Sequence, residues 1–389
     1  MFLSDKSAKD SARILITGGR SPAALHVARL LADGGCYVII ADSMRWPISA
    51  RSRACHSYHY ISSPVTDSDQ FAVDISNLVD IHAIDLVVPT CEEIFHLAML
   101  WAKVKMGAKL YAPPLKKLAQ AHNKFEFIQQ ASKFGLQTPD TRLLLSPEDI
   151  GEEDCNRVLK PVWSRFASKV LLRPRYEQLR KIQPSMSIPW VSQERIEGRE
   201  ICALAFCNQG AVLGQSAYQP LYRAGQGAGI FFEPFECGAV ADFVATYVRR
   251  TNWTGQISFD FMQEEQGDIL PLECNPRSTS GVHFFLDSHS FAVALLDGKG
   301  PMEVSIKRPQ AIKFAMLSYG ILQAVRAGHI GAFIQDYQRS VSALSWAGDA
   351  KPAISQFIPI GEIVMRAVRH RCSLTDATTR DIQWDGPGA

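Results

Sequence analysis

Two carboxylates, Asp260 and Glu273, lie in neighbouring segments, Gly255-Gln-Ile-Ser-Phe-Asp260-Phe-Met and Ile269-Leu-Pro-Leu-Glu273-Cys-Asn275-Pro-Arg277-Ser. Both segments are apolar with polar residues at every second position, and Gln266-Gly267 sits between them, the pattern of a β-hairpin. With that pair at the tip, Asp260 faces Glu273 and Ser258 faces Asn275. Side chains alternate with period two, so these four polar groups share one side, and Phe259, Phe261, Leu272 and Cys274 take the other. Like charges opposed across a strand pair are destabilising, so the arrangement asks for a cation. Mg²⁺, with Mn²⁺ as its substitute, suits one or two carboxylates completed by phosphate oxygens. The competing reading is a solvated sheet face on which Glu273 pairs with Arg277.

Other residues extend the same chemistry. Lys160 closes the β-run Val158-Leu-Lys160-Pro161, where its ammonium can lie over phosphates as a point charge. The stretch Gln193-Glu194-Arg195-Ile196-Glu197-Gly198-Arg199-Glu200 reads as strand, turn and strand, a hinge that can present backbone groups to an adenine edge and Glu200 to ribose hydroxyls. Arg277 follows Pro276, and its guanidinium fork suits a phosphate or an acyl phosphate. Arg223 precedes a glycine-rich run through Gly225 and Gly227 to Glu233, read equally as a surface loop or as a substrate loop whose backbone approaches a ligand while Arg223 takes a carboxylate. His283 is either a substrate-pocket or a packed residue. Glu92 and Glu93 read as helix N-terminal acids, with a cleft-facing role as the alternative.

The elements that must position these residues differ along the chain. From Arg13 to Pro114, continuous apolar runs at Ile14–Thr17, Tyr37–Ala41, Asp85–Pro89 and near Leu110 alternate with helical patterns over Ala23–Leu31, Phe71–Val79 and Ile94–Val104. That alternation predicts a parallel sheet covered on both faces, a Rossmann-like unit. Its first turn, Thr17-Gly18-Gly19-Arg20-Ser21, departs from the Gly-x-Gly-x-x-Gly dinucleotide fingerprint, and a tight turn without cofactor is the preferred reading, although an anion can sit at that helix N-terminus. Beyond Pro113-Pro114, one helix from near Leu118 to Gly135 is expected to carry His122-Asn123-Lys124. The acidic run 146–156 reads as an interdomain passage. From Arg157 strands and hairpins dominate, including Lys169–Leu172, an α+β composition. Helices over Met316–Arg326 and Ile354–Arg371 follow, with Arg366, Arg369, His370 and Arg371 compensating a helix dipole.

Size and composition exclude several classes. A chain of 389 residues exceeds one ordinary core. A hydrophobic content of 47%, a charged content of 21% and a net charge of +2 argue for a globular protein with no global field toward nucleic acid or membrane. No apolar run reaches the roughly 18 residues of a membrane span, and the polar start of the chain reads as cytoplasmic. Nine cysteines without a Cys-x-x-Cys pair fit neither a disulfide framework nor a zinc site.

The order Lys124, Lys160, Gln193-x-x-Ile196-x-x-x-Glu200, Asp260, Glu273-x-Asn275-Pro-Arg277 resembles the ATP-grasp superfamily, in its carboxylate-amine ligase and carbamoyl-phosphate-synthase branches. The resemblance implies a Rossmann-like pre-grasp domain over 1–115, a small lid domain over 116–190, a grasp domain with the nucleotide and metal site over 191–310, and a C-terminal helical portion over 311–389. It implies ATP and Mg²⁺ as cofactors. Lys124 and Lys160 would contact phosphates, Gln193, Glu194 and Ile196 the adenine, and Glu200 the ribose. Asp260, Glu273 and Asn275 would hold the metal, and Arg277 would stabilise the transferring phosphoryl group. The implied reaction is ATP-dependent activation of a small carboxylate as an acyl phosphate and its coupling to an amine, in a protein expected as a homodimer. Two departures stand out. Pro161-Val-Trp-Ser164-Arg165-Phe-Ala-Ser168-Lys169 has no glycine where a glycine-rich loop covers the triphosphate, so Ser164, Arg165 and Ser168 are the candidate contacts there, and Asn123 stands where Asp is frequent. Alternatives are a nicotinamide-dependent oxidoreductase using Gly18, Gly19 and Asp42, and a catalytically silent ATP-binding module.

Overall fold

The computed structural model describes residues 11–164, 169–225, 227–305 and 307–387. Arg165 and Ser168, two of the expected contacts to a triphosphate, lie outside the described residues. The fold is a multidomain mixture of parallel and antiparallel sheets with helices. The first sheet is built from β1 (Arg13–Thr17), β2 (Tyr37–Asp42), β3 (Ser57–Tyr60), β4 (Leu86–Pro89) and β5 (Lys109–Leu110), all parallel in the order β3-β2-β1-β4-β5. Its helices are α1 (Pro22–Asp33), α2 (Ser68–Ile81) and α3 (Glu93–Lys103). Both faces are apolar because both are covered. Ile14, Ile16, Val38, Ile40 and Val88 pack into one core with Val27 and Leu31 of α1, and Leu15, Ile39 and Val87 pack into another with Ile75 of α2 and Leu97 of α3.

The single helix expected from Leu118 onward is two: α4 (Leu115–His122) and α5 (Lys124–Lys133). Asn123 breaks the run because its Oδ1 accepts from the Phe125 and Glu126 amides, an N-cap that makes Lys124 the first residue of a helix. A small antiparallel sheet follows, β6 (Thr141–Leu144), β7 (Val158–Pro161), β8 (Leu171–Leu172) and β9 (Trp190–Gln193) in the order β6-β9-β7-β8, with the short α6 (Tyr176–Leu179). The strand expected from Lys169 begins only at Leu171. The acidic run 146–156 is no open passage. Its Asp154 is fully buried and accepts from Arg142 Nη2 at 2.9 Å, so the run folds into this sheet.

The large sheet contains β10 (Arg199–Asn208), β11 (Ala211–Ala224), β12 (Ala228–Pro234), β13 (Gly255–Gln263), β14 (Ile269–Asn275), β15 (Gln310–Ala311) and β16 (Val341–Ser342), in the order β14-β13-β10-β11-β12-β15-β16. Against one face lie α5 and α7 (Gly238–Thr251), whose Phe127, Phe243 and Tyr247 meet Phe259 and Phe261 of β13. The glycine run after Arg223 continues into paired strands, Arg223 with Gly229 and Ala224 with Ala228, and Gln226 lies outside the described residues. No helix among the described residues is long and apolar enough to cross a membrane.

The helix Phe357–His370 and the segment after it dock on the carboxyl end of the parallel sheet. Arg366 was expected to compensate a helix dipole. It instead bonds Asp381 at 2.5 Å, Glu362 at 2.9 Å and the Ser43 carbonyl at 2.5 Å. Arg20 bridges Asp381 at 2.5 Å and Asp42 at 2.6 Å from the other side. Burial alone would raise the pKa of Asp381, but the two guanidinium groups outweigh it and hold the carboxyl well below the usual range. Its stabilising effect is therefore complete above the unfolded value of about 4 and is lost as pH falls through the lower folded value. Asp381→Asn is expected to cost about 3 kcal/mol at neutral pH, seen as a lower denaturation midpoint, with a shrinking difference from the unmodified protein in acid.

Candidate functional site

The hairpin register is the one the alternation predicts: Ser258 pairs with Asn275, Phe259 with Cys274 and Asp260 with Glu273. Beyond Asp260 the register slips, and Phe261 pairs with Pro271 rather than Leu272. Leu272 is the extra residue of a β-bulge, half-buried rather than part of the apolar face, and its carbonyl accepts from Lys160 Nζ at 3.0 Å. The competing pairing of Glu273 with Arg277 does not form. Glu273 Oε2 meets Lys124 Nζ at 3.3 Å, and Lys124 also donates to the Ser164 carbonyl at 2.8 Å.

Lys124 and Lys160 are 2% and 5% exposed, and the charges of both act on the Glu273 carboxylate. Burial lowers the Lys160 pKa to about 8, against the opposing pull of Glu273. Burial would raise Glu273, but Lys124 and Lys160 pull it down, well below the usual range. At Asp260 the balance is reversed, because the pull of Arg223 is outweighed. Burial first, then the charges of Glu273 and Glu200, push it up to about 7. Asn275 places its amide nitrogen 3.1 Å from Asp260 Oδ2 and 3.4 Å from Glu273 Oε1, a neutral donor between two carboxylates. The donor set is oxygen-rich, and the nearby positive charge does not offset burial and the neighbouring carboxylates at Asp260, which fits a hard divalent cation.

Arg277 leaves the end of β14 in a turn, its amide 2.7 Å from the Asn275 carbonyl. Ser258 Oγ donates to the Arg277 carbonyl at 2.9 Å and lies 3.0 Å from Thr279 Oγ1. The Arg277 side chain makes only long contacts, 3.4 Å to Asn275 Oδ1 and 3.4 Å to the Ser278 carbonyl, and among the described residues no carboxylate lies within ion-pair distance of it. Gln256, in the same strand as Asp260, donates to the Pro89 carbonyl at 2.7 Å and so ties the large sheet to the end of β4. Neither that tie nor the bulge at Leu272 has a signal in the sequence.

The hinge residues are placed as follows. Gln193 ends β9, is buried, and donates to Thr141 Oγ1 at 3.2 Å. Glu194 is exposed, with its amide 2.7 Å from the Asp140 carbonyl and its carboxylate accepting from the Asp140 amide at 3.0 Å. Ile196 is half-buried. A Cβ at Gly198 would fall 2.0 Å from the Gln263 carbonyl oxygen, so only glycine lets the hinge lie against β13. Glu200 forms an ion pair with Arg223, which places Arg223 on the same side of the sheet as Asp260, while Gly225 and Gly227 flank the hairpin tip.

Three expectations resolve away from this cluster. Glu93 is a helix N-terminal acid, accepting from Thr17 Oγ1 at 2.7 Å and the Thr90 amide at 3.1 Å, and Glu92 is the N-cap residue of α3. His283 is a packed residue, 1% exposed with its Nδ1 3.3 Å from His26 Nδ1. Asp42 is buried and held by the Arg20 amide and guanidinium and by the Met44 amide, so it is not presented to a ribose.

No family model matches the sequence, and no curated protein matches it. Solved structures do. L-amino acid ligase from Bacillus licheniformis superposes with a TM-score of 0.61 at 14% identity, covering 77% of this chain and 78% of that one. N5-carboxyaminoimidazole ribonucleotide synthetase in complex with ADP gives 0.60 at 15% identity, covering 81% and 85%. Biotin carboxylase from Campylobacter jejuni, in a β-γ-ATP complex, gives 0.60 at 14% identity, covering 78% and 75%. At these identities the likeness is one of fold.

Proposed function

Because the chain carries the ATP-grasp fold, we propose that it is an ATP-dependent ligase that activates a carboxylate as an acyl phosphate and couples it to an amine, releasing ADP and phosphate. The observation that carries this reading is the register of Asp260 with Glu273, beside Asn275 and near the buried lysines Lys124 and Lys160. The first five strands, in the order β3-β2-β1-β4-β5, are then a Rossmann-like pre-grasp unit over 1–115. The small sheet over 116–190 is the lid, 191–310 the grasp unit, and 311–389 the C-terminal portion.

Asp260, Glu273 and Asn275 would hold Mg²⁺, which when bound neutralises the phosphate oxygens. Lys124 and Lys160 hold the phosphates as point charges, and the hinge from Gln193 to Ile196 faces the adenine. Glu200 takes the ribose by giving up Arg223, which is then available to the acid substrate between the β11–β12 tip and the sheet. The carboxylate oxygen of that acid attacks the γ-phosphorus and the β,γ-bridging oxygen leaves on ADP. Arg277 meets the negative charge spread over the transferring group. The amine nitrogen then attacks the acyl carbon, phosphate departs with the former carboxylate oxygen, and the amine proton passes to solvent. No protein nucleophile is needed. The oxidoreductase alternative is disfavoured by the engagement of Asp42 with Arg20.

The direct test is Mg²⁺-dependent release of ADP and phosphate across a panel of acids and amines. Protection by a nicotinamide cofactor without any effect of Mg·ATP would overturn the reading. Titration gives a second check. Lys160, lowered to about 8 by burial, loses its charge as pH rises past that value, so kcat/KM for ATP is expected to fall on the alkaline side with a limb near 8. Lys160→Arg keeps its charge throughout, and the limb should disappear in that variant.

A further inference from the structure

The C-terminal segment returns to the cleft. Residues 378–387 cross the carboxyl end of the parallel sheet, where Ser63 Oγ donates to the Asp381 carbonyl at 2.6 Å and His96 Nε2 lies 3.0 Å from the Gln383 carbonyl. Trp384, 6% exposed, stacks on Phe95 with ring centroids 4.5 Å apart and planes 7° from parallel. Its ring also stands edge-on to Trp163, 5.1 Å away. Gly386 backs onto the same indole, since a Cβ there would fall 2.7 Å from Trp163 Nε1.

Trp163 lies in the run that follows Lys160, the run without glycine. Its neighbour Ser164 turns its hydroxyl to the Pro161 carbonyl at 3.1 Å and gives its own carbonyl to Lys124 Nζ at 2.8 Å. Lys124 Nζ is 3.3 Å from Glu273 Oε2. Contacts therefore run unbroken from Trp384 through Trp163 and Ser164 to the Lys124 ammonium and the carboxylate pair. An aromatic partner at Trp163 fixes the position of the residue next to Ser164.

We propose that Trp384 is a positioning residue for the triphosphate: through Trp163 and the Ser164 carbonyl, the C-terminal segment sets where the Lys124 ammonium stands. This rests on the reading of Lys124 as a phosphate ligand. The experiment measures binding of a non-hydrolysable ATP analogue with Mg²⁺, and of adenosine, to the full chain and to Trp384→Ala and Trp384→Phe. Trp384→Ala is expected to weaken the triphosphate by about tenfold while leaving adenosine unchanged, and Trp384→Phe to restore most of the loss. Equal losses for both ligands, or no loss, would overturn the positioning role. Failure of the unmodified chain to bind either ligand overturns the nucleotide reading itself and this inference with it. If Trp384→Ala does not fold, Gly386→Ala, which presses on Trp163 from the other end of the contact, carries the same comparison with the same expected split.

Discussion

Asp260→Asn is expected to give a protein that is more stable than the unmodified one and unable to turn over ATP. The stability gain follows from the direction of the Asp260 pKa. Burial, with Glu273 and Glu200 nearby, raises it to about 7 from an unfolded value near 4. A raised folded-state carboxyl binds more protons in the folded than in the unfolded chain, so stability falls as pH rises through that interval and the loss is complete above about 7. Removing the charge removes the loss. In metal-free solution the variant should therefore melt several degrees higher at pH 8, with the gain shrinking as pH falls toward 4. Turnover should drop by about a thousandfold or more, because the amide keeps the shape of the carboxylate and none of its charge.

Glu273→Gln provides the contrast. Lys124 and Lys160 already hold Glu273 ionised, so this substitution leaves Lys124 facing a neutral amide. A loss of about 2 kcal/mol is expected, below that of a fully enclosed pair because the Glu273 side chain keeps 27% of its exposure. Turnover should fall as far as in Asp260→Asn. Two neighbouring carboxylates would then share one effect on activity and have opposite effects on stability, checked by thermal melts with and without Mg²⁺ alongside ADP release. A lowered melting point for Asp260→Asn, or retained turnover in either variant, would remove the metal assignment.

The pairing of these two carboxylates was legible because a strand has period two and a hairpin tip fixes the sum of partner numbers. The same arithmetic fails on the tip side of that pair, from Leu272 back to Ile269, where a bulge intervenes. The Leu272 carbonyl is met by Lys160, 112 positions away, and nothing local encodes that contact. Alternation of apolar runs with helical patterns likewise forecast the parallel sheet, since each strand is buried on both faces. Asn123 was readable as an unusual neighbour of Lys124 but not as the break between two helices, because helical periodicity continues across it and only the cap geometry separates them. Arg366 and Trp384 were least legible. Their partners Ser43 and Phe95 lie hundreds of positions earlier, and a basic helix end or a lone indole near a terminus has the same local appearance whether it faces solvent or closes a cleft.

Arg277→Ala is expected to lower kcat by about a thousandfold with little change in KM for ATP and no measurable change in melting temperature. The last part follows from how loosely the side chain is held. Its two hydrogen bonds are 3.4 Å long, and it is half-buried with no carboxylate partner among the described residues, so its removal breaks little that supports the fold. Its backbone is fixed instead, by the Asn275 carbonyl at 2.7 Å and by Ser258 Oγ at 2.9 Å. A guanidinium carried on a rigid turn and left without a counter-ion is poised for charge that arrives only with substrate, which is why the loss should fall on kcat. Arg277→Lys retains charge without the planar fork and should recover a minor part of the rate. Ser258→Ala, which frees the turn without touching the guanidinium, should cost about tenfold in kcat, since orientation is lost and charge is not. A rise in KM with kcat intact in Arg277→Ala would mean that the residue binds ground-state substrate, and a large fall in melting temperature would mean that it serves the fold.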